Sequence, residues 1–453
     1  MTPTPRASPT FGRWIRRFGP GLVPGVVLGL VLGASAAHAT PETESPYRNL
    51  GIFARVLAHI EMSWIEEIDQ QEAVYGAIRG MVESLDPHST YMDPEEYRIL
   101  TSDTQGRFGG IGGEIEVQDG WLTVLGVFDG GPADRAGLQP GDRFLTIQGR
   151  SARDLPIGDA VQLMRGEAGT DVQVGIRRDG EDDAIEVTLT REIIRVEAVE
   201  ARVLPDRIAY IHIKSFQQTT TRELRRALDI AVDETRAGGG LRGVILDLRN
   251  NPGGLLDEAV LVSDEFLSRG TIVSTRGRGD RVLSEARASS SGTRPDWPMV
   301  VLVNGYSASA AEIVAGALQD HGRAVVVGTR TFGKGSVQNI IELPDGSGLK
   351  LTIARYFTPS GRSIQAEGVA PDMEIEQIRE EALREGIQRE VISEALLEGH
   401  LDERVTMEAV EVSRDAPRET VDGEEEAPFA DDYQARMAHQ ALRAIVTAQG
   451  GSE

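Results

Sequence analysis

Residues 191–374 predict a layered α/β core, preceded by a small inserted domain of mixed strands and helices and flanked by helical regions at both ends. Three observations carry this reading. From Ile208 onward, short apolar runs that read as buried strands alternate with segments of helical period. Between Gly106 and Thr190 the texture changes to short strands, glycine turns and two brief helices. Outside both regions the apolar spacing is helical.

The 453-residue chain is long enough for two or three domains, and its net charge of -24 opposes non-specific binding to nucleic acid. Cysteine is absent, which rules out thiol catalysis and disulfides and fits any compartment, a periplasm included. The first segment is different. RWIRRFGPG is basic, Leu22 to Leu32 is almost wholly apolar, and Ala37-His38-Ala39 has small residues where a signal peptidase reads. Residues 1–39 are therefore expected to be a signal peptide that engages the membrane during export, with an uncleaved anchor as the alternative. Either places the body outside the cytoplasm.

After a tether, Leu50 to Ile68 reads as an amphipathic helix with Phe53, Val56, Leu57 and Ile60 on one face, and Gln71 to Leu85 as a second. LDPHSTYMDPEEY follows, with turn signals at Asp86-Pro87 and Asp93-Pro94 and a short helix opening at Pro94. His88 is a lone histidine among turn residues, with no partner for catalysis in its local sequence. Two short strands are expected around Asp119-Gly120, a third at Leu122 to Val127, helices at Pro132 to Ala136 and Ile157 to Met164, and a strand at Arg143 to Ile147. Asp171 to Arg177 and Ala184 to Thr190 pair as a hairpin. The loop Phe108-Gly109-Gly110-Ile111-Gly112-Gly113 is either a tight turn or a cradle of backbone N–H groups for an anion such as a peptide carboxylate. It lacks the Lys-Ser/Thr of a phosphate loop.

In the core, strands are expected at Ile208 to Ile213, Val244 to Leu248, Thr271 to Thr275, Met299 to Val303, Ala324 to Val327 and Leu349 to Tyr356. Helices fall at Thr219 to Glu234, Leu255 to Phe266 and Ala311 to Leu318, and Gly277 to Pro298 reads as a loop with a hairpin. Beyond Pro371, Ile378 to Gly399 has helical spacing, and Arg414 to Pro428 reads as an acidic linker. Tyr433 to Val446 forms a terminal helix that packs on its own core or on another subunit.

The stretch Val300 to Gln338 concentrates the chemistry. A strand, a tight turn at Asn304-Gly305 and a helix start present Ser307 and Ser309, and FGKG brings Lys334. Serine needs a base, and with no histidine between His212 and His321 the nearest candidate is Lys334, usable if burial lowers its pKa. Gln338 carries an uncharged amide able to orient an amine without restoring its proton affinity. The Ala310 N–H at the helix start and the turn Asn251-Pro252-Gly253-Gly254 are candidate oxyanion donors. Glu312 and Asp247 read as structural acids. No two histidines lie at ligand spacing, so neither a metal nor another cofactor is expected. These residues leave Ser307 and Ser309 undistinguished.

From about residue 50 to 375 the chain resembles the C-terminal processing peptidases (tail-specific proteases), serine peptidase family S41. LDPHSTYMDPEEY is similar to the family's N-terminal motif, and Phe108 through GGPADRAGLQPGD to Thr190 to its PDZ domain. LDLRNNPGG, VNGYSASAAEI and FGKGSVQ are similar to the protease motifs. The resemblance implies a ClpP/crotonase-like core at 191–374, a PDZ domain at 106–190, and helical regions at 40–105 and 375–453. It implies Ser309 as nucleophile, Lys334 as general base, Gln338 as its orienting residue, and the N–H groups of Ala310 and Gly254 as oxyanion donors. Gly110, Ile111 and Gly112 would hold the carboxylate of a protein substrate with an apolar C-terminus.

Tyr306 and Ala311 depart from the family pattern, without removing a catalytic group. The expectation is thus a serine endopeptidase in the periplasm of a Gram-negative bacterium, free or membrane-associated, homo-oligomeric and open to control by an adaptor protein. The alternative from another class is a PDZ peptide-binding adaptor or pseudo-protease.

Overall fold

The computed structural model describes residues 47–153, 155–181, 183–377, 428–429 and 432–450. The expected signal segment, the helix at Ile378 to Gly399 and nearly all of the acidic linker lie outside the described residues. The chain divides into two compact units, Met1–Val74 and Tyr75–Glu453. No helix of the described residues is long and apolar enough to cross a membrane.

In the first unit, α1 (Arg48–Ser63) is amphipathic, and Phe53, Val56 and Ile60 are exposed. It stops five residues short of the expected Ile68, because Trp64 turns extended and Asp69 accepts the N–H groups of Gln71 and Glu72. That local capping starts a new helix instead of continuing the old one. This is α2 (Gln70–Glu83), which carries the chain into the second unit.

There the LDPHST turn is built around Asp86, whose buried carboxylate accepts from His88 N, Ser89 N, Ser89 Oγ and Thr352 Oγ1. β1 (Thr90–Met92) follows, then α3 (Pro94–Thr104), capped reciprocally by Asp93 and Glu96. The small domain is a sheet of β3 (Gly113–Gln118), β4 (Trp121–Val127), β5 (Arg143–Ile147), β7 (Asp171–Arg177) and β8 (Ile185–Thr190), in that order, with β6 (Arg150–Ser151) on β5. The strand after Asp119-Gly120 and the one expected at Leu122 to Val127 are a single strand, β4, because its pairing with β3 starts at Trp121 and continues to Val127 across one bulge at Leu125. Helices α4 (Pro132–Arg135) and α5 (Ile157–Met164) complete a core around Leu122, Phe144, Ile147, Val172 and Leu189. β2 (Arg107–Gly110) pairs with β9 (Glu192–Arg195) where the chain enters and leaves this domain. At the same joint Arg165 grips Asp103 of α3 with Nη1 and stacks on Phe108, beside a cavity of about 320 Å³.

The larger layer is a six-stranded sheet ordered β10 (Val199–Val203), β11 (Ile208–Ile213), β12 (Gly243–Asp247), β15 (Met299–Val303), β16 (Val325–Gly328) and β19 (Met373–Glu374). All neighbours are parallel except the β10 edge. Such strands are buried on both faces, which explains their continuous apolar runs. One face packs on α6 (Thr220–Thr235), α7 (Leu256–Asp264) and α8 (Ala310–Asp320). The other is covered by α9 (Tyr433–Gly450), whose Ala435, Ala438 and Leu442 meet Ile208, Ile245, Val300 and Leu302. The terminal helix therefore packs on its own core.

A second sheet joins β1, β18 (Gly348–Phe357), β13 (Thr271–Arg276) and β14 (Val282–Arg287), with β17 (Ser336–Glu342) also paired to β18. β17 was not expected from the sequence. Its apolar Val337, Ile340 and Ile341 do not alternate with a period of two, and its order comes from long pairing with β18. Lys334 accordingly lies in a loop between β16 and β17 rather than at the end of the β16 run.

Candidate active site

Two turns at the C-terminal ends of β12 and β15 are stitched together. Parallel pairing places these strand ends side by side, the usual location of a site in an open α/β sheet. Asn304 Oδ1 accepts from Asn250 N, and Asn304 Nδ2 donates to Asn250 Oδ1 at 2.8 Å. Asn251 is fully buried and works in three directions. Its Nδ2 donates to Ile213 O, its Oδ1 accepts from Gly253 N, and its carbonyl accepts from Ala308 N at 2.9 Å.

The two serines separate by what their hydroxyls do. Ser307 is fully buried, and its Oγ donates to Leu248 O at 2.7 Å while accepting from Asn304 N. It is a rivet between the turns. Ser309 caps α8 with φ 55° and ψ -111°, a strained conformation for a side-chain-bearing residue and the mark of a sharp strand-to-helix elbow. Tyr306 stands exposed on the outer side of that elbow.

The glycine turn fits against Ser309 because it has no side chains. A Cβ on Gly253 would sit 2.8 Å from the Ser309 Cβ and 3.1 Å from Ala310 N, and one on Gly254 would strike Phe216 O at 2.2 Å. Both have positive φ. Gly253 N–H is spent on Asn251, whereas the N–H groups of Gly254 and Ala310 donate to no acceptor among the described residues.

Glu312 joins the pieces. It is fully buried, and its Oε2 accepts from both Ser309 N (2.7 Å) and Lys334 N (2.9 Å). Oε1 accepts from Thr331 Oγ1 and from Gly333 N at 2.7 Å. Burial pushes this carboxyl up to about 7, against the four hydrogen bonds, which favour the charged form. The sequence reading undervalued Glu312. The available signal was Ser-x-x-Glu at a helix start, a reciprocal capping pattern that ordinarily satisfies only the helix end.

The Lys334 loop is also pinned from its far side. Gly335 N donates to Gln365 Oε1 at 3.0 Å, Gly335 O accepts from Tyr356 N, and a Cβ on Gly335 would lie 2.3 Å from Gln365 N. Lys334 itself is half-buried. Gln338 lies on β17, and its Nε2 donates to Ser336 Oγ at 2.8 Å. Tyr356 of β18 was missed in the sequence, where it reads as an aromatic strand residue. Burial, with Asp257 nearby, pushes its phenol up to about 12, against the opposing effect of the Ser309 hydroxyl. Asp247, read as structural, accepts from Tyr210 OH and from Arg249 behind the turn. His88 belongs to the Asp86 turn, to which its N–H donates.

In the small domain, Gly110 ends β2, Ile111 is buried and Gly112 has φ 73°. The carbonyls of Ile111 and Gly112 accept from Ala133 N and Phe128 N. Their own N–H groups donate to no acceptor among the described residues. Among the described residues the neighbouring strand β3 is paired only on its β4 side, leaving an open edge there.

A strained serine elbow between a glycine turn and a lysine loop, on a layered α/β core with an inserted β domain, defines a serine-type hydrolase. The family model of peptidase family S41 matches residues 207–375, a PDZ domain model matches 123–178, and the model "Activating protease CtpB N-terminal domain" matches 33–96. A carboxy-terminal-processing protease of Bartonella bacilliformis is 42% identical over 338 residues, covering 75% of this chain and 77% of that protein. The carboxy-terminal processing protease CtpA of Bacillus subtilis is 37% identical over 320 residues, covering 70% and 67%. Among solved structures, a photosystem II D1 C-terminal processing protease is 30% identical, with a TM-score of 0.44, covering 72% of this chain and 86% of that one. The chain belongs to peptidase family S41.

Proposed function

We propose that this chain is an exported endopeptidase that captures protein C-termini on its PDZ domain and hydrolyses peptide bonds by a Ser309–Lys334 dyad. The observation that carries the reading is the sharing of one Glu312 oxygen by the backbone N–H groups of Ser309 and Lys334, which holds the two loops against each other. Lys334 Nζ, neutral, takes the Ser309 proton as Oγ attacks the scissile carbonyl. The oxyanion is received by the N–H groups of Ala310 and Gly254, which have no other acceptor among the described residues. The protonated lysine then protonates the leaving amine, and water, deprotonated by the same lysine, releases the acyl group. Gln338 orients the amine from β17.

At the PDZ domain the N–H groups around Gly110, Ile111 and Gly112 receive the terminal carboxylate, and the open β3 edge pairs with the peptide backbone. Operation in the periplasm after signal cleavage, as a homo-oligomer answerable to an adaptor, follows from the sequence and from the resemblance. A peptide-binding adaptor without chemistry leaves the strained Ser309 and the two unspent N–H donors without a purpose.

The test is cleavage of an unstructured protein with an apolar C-terminus by the wild type, Ser309→Ala and Lys334→Ala. Wild-type cleavage with both variants silent is expected. Equal behaviour of all three overturns the assignment.

A further inference from the structure

The glycine turn is anchored from behind by the far end of the chain. Arg249, immediately before Asn250-Asn251-Pro252-Gly253-Gly254, lies between two carboxylates. Its Nε and Nη2 reach Asp247 at 3.0 and 2.6 Å, and its Nη1 and Nη2 reach Asp432 at 2.8 and 2.6 Å. Asp247 closes the end of β12 and also accepts from Tyr210 OH at 2.6 Å. Asp432 starts α9, where its Oδ1 accepts from Ala435 N and its carbonyl from Arg436 N. One planar guanidinium, with about a tenth of its side chain exposed, thus ties a strand end to a helix start.

The geometry points to Asp432 as a positioning residue that acts through Arg249 on the Asn250–Gly254 turn, so that docking of α9 sets where the Gly254 N–H sits. This rests on the proposed role of Gly254 as an oxyanion donor. Two features separate positioning from mere cover. Asn250, next to Arg249, is held at φ 57°, a left-handed conformation that asparagine tolerates but that the bonds on either side must select, here Arg249 before it and Asn304 across from it. Removing Asp432 also leaves Arg249 paired with Asp247. The variant thus loses an anchor without burying an orphan charge, which is the usual cause of wholesale destabilisation.

The same helix supplies its own control. α9 runs from the C-terminal ends of the strands, at Arg249, to their N-terminal ends, where His439 Nε2 bonds Asp206 Oδ2 at 2.8 Å just before β11. His439→Gln weakens docking of α9 without touching Arg249. Asp432→Asn and His439→Gln are made in the full chain and assayed for kcat and KM on the peptide substrate, and for amide hydrogen exchange over residues 248–256. Asp432→Asn is expected to lower kcat about tenfold with KM within about twofold, as fits a displaced donor, and to speed exchange in the turn. His439→Gln is expected to leave both near wild type. Unchanged exchange in Asp432→Asn, a kcat within about twofold of wild type, or equal losses in both variants overturns the inference. Activity retained by Ser309→Ala overturns the functional reading instead, and leaves the exchange result to decide the anchor.

Discussion

The Ser309 N–H donates to Glu312 Oε2 at 2.7 Å, folding the first turn of α8 back onto the residue that starts it. Because the same oxygen holds Lys334 N, the carboxylate sets the spacing of two loops that are remote from each other on the chain. Glu312→Gln keeps the volume but puts an NH₂ where acceptors are needed, opposing either Gly333 N–H or the Ser309 and Lys334 pair. A loss of roughly a hundredfold in kcat/KM is expected, the scale of an ångström-sized misplacement. Peptide cleavage against the wild type measures it.

Glu312 also gives a pH signature. Its carboxyl moves from the usual 4.5 to about 7 in the fold, chiefly through burial. The folded state then holds this proton more tightly than the unfolded chain. The group favours folding fully below pH 4.5, and the contribution is lost as pH rises through about 7, on the order of 3 kcal/mol in all. Denaturant unfolding across pH 5 to 8 should show a flatter dependence in Glu312→Gln. Parallel curves would count against the assignment.

The two serines should respond oppositely to substitution. Ser307→Ala leaves Leu248 O with only the long 3.4 Å bond from Asn251 N and takes the acceptor from the half-buried Asn304 N, and is expected to cost about 1–2 kcal/mol in stability. Ser309→Gly removes the nucleophile and relieves a positive φ, so it should abolish cleavage while raising stability by roughly 1 kcal/mol. Thermal unfolding beside an activity assay distinguishes them.

Gly253→Ala drives a methyl to 2.8 Å from the Ser309 Cβ at φ 100°. Both strain and crowding oppose it, and a loss of about 2 kcal/mol or more is expected together with activity. Gly137→Ala, where a Cβ meets nothing within 4 Å but φ is 79°, is the comparison for backbone strain alone. It should cost only about 1 kcal/mol and leave cleavage intact.

Asp86 is a case of the opposite sign to Glu312. Although burial opposes its charge, hydrogen bonds from Ser89, His88 and Thr352 hold its carboxyl below the usual 3.8. Its contribution is therefore fully present above pH 3.8 and lost as pH falls through its lower folded value. Asp86→Asn should lower stability by about 1 kcal/mol at neutral pH and flatten the acid limb of the unfolding curve.

Much of this architecture is written in local patterns. The buried parallel strands announce themselves as unbroken apolar runs, and Ile157–Met164 and Asp171–Arg177 fall where their periods place them. What escaped is what pairing and burial create. β17 has its apolar Val337, Ile340 and Ile341 out of alternation and is ordered by β18, so no period betrays it. Ser307 and Ser309 are chemically alike in the sequence, and only the partner of each hydroxyl and the backbone at Ser309 separate them. Tyr356 and Glu312 look like an ordinary strand aromatic and an ordinary helix-start acid. Their meaning lies in neighbours from other segments of the chain.

The cover supplied by α9 bears on how the protein is made. Leu204, Ile208, Ile245, Val300, Leu302 and Val327 form the sheet face that this helix closes, and all precede it by more than a hundred residues. A chain cut short before Tyr433 lacks Ala435, Ala438 and Leu442, and with them the cover that α9 gives this face. It is expected to fold to an apolar plate of the kind chaperones hold and to aggregate, rather than to work as a shortened enzyme.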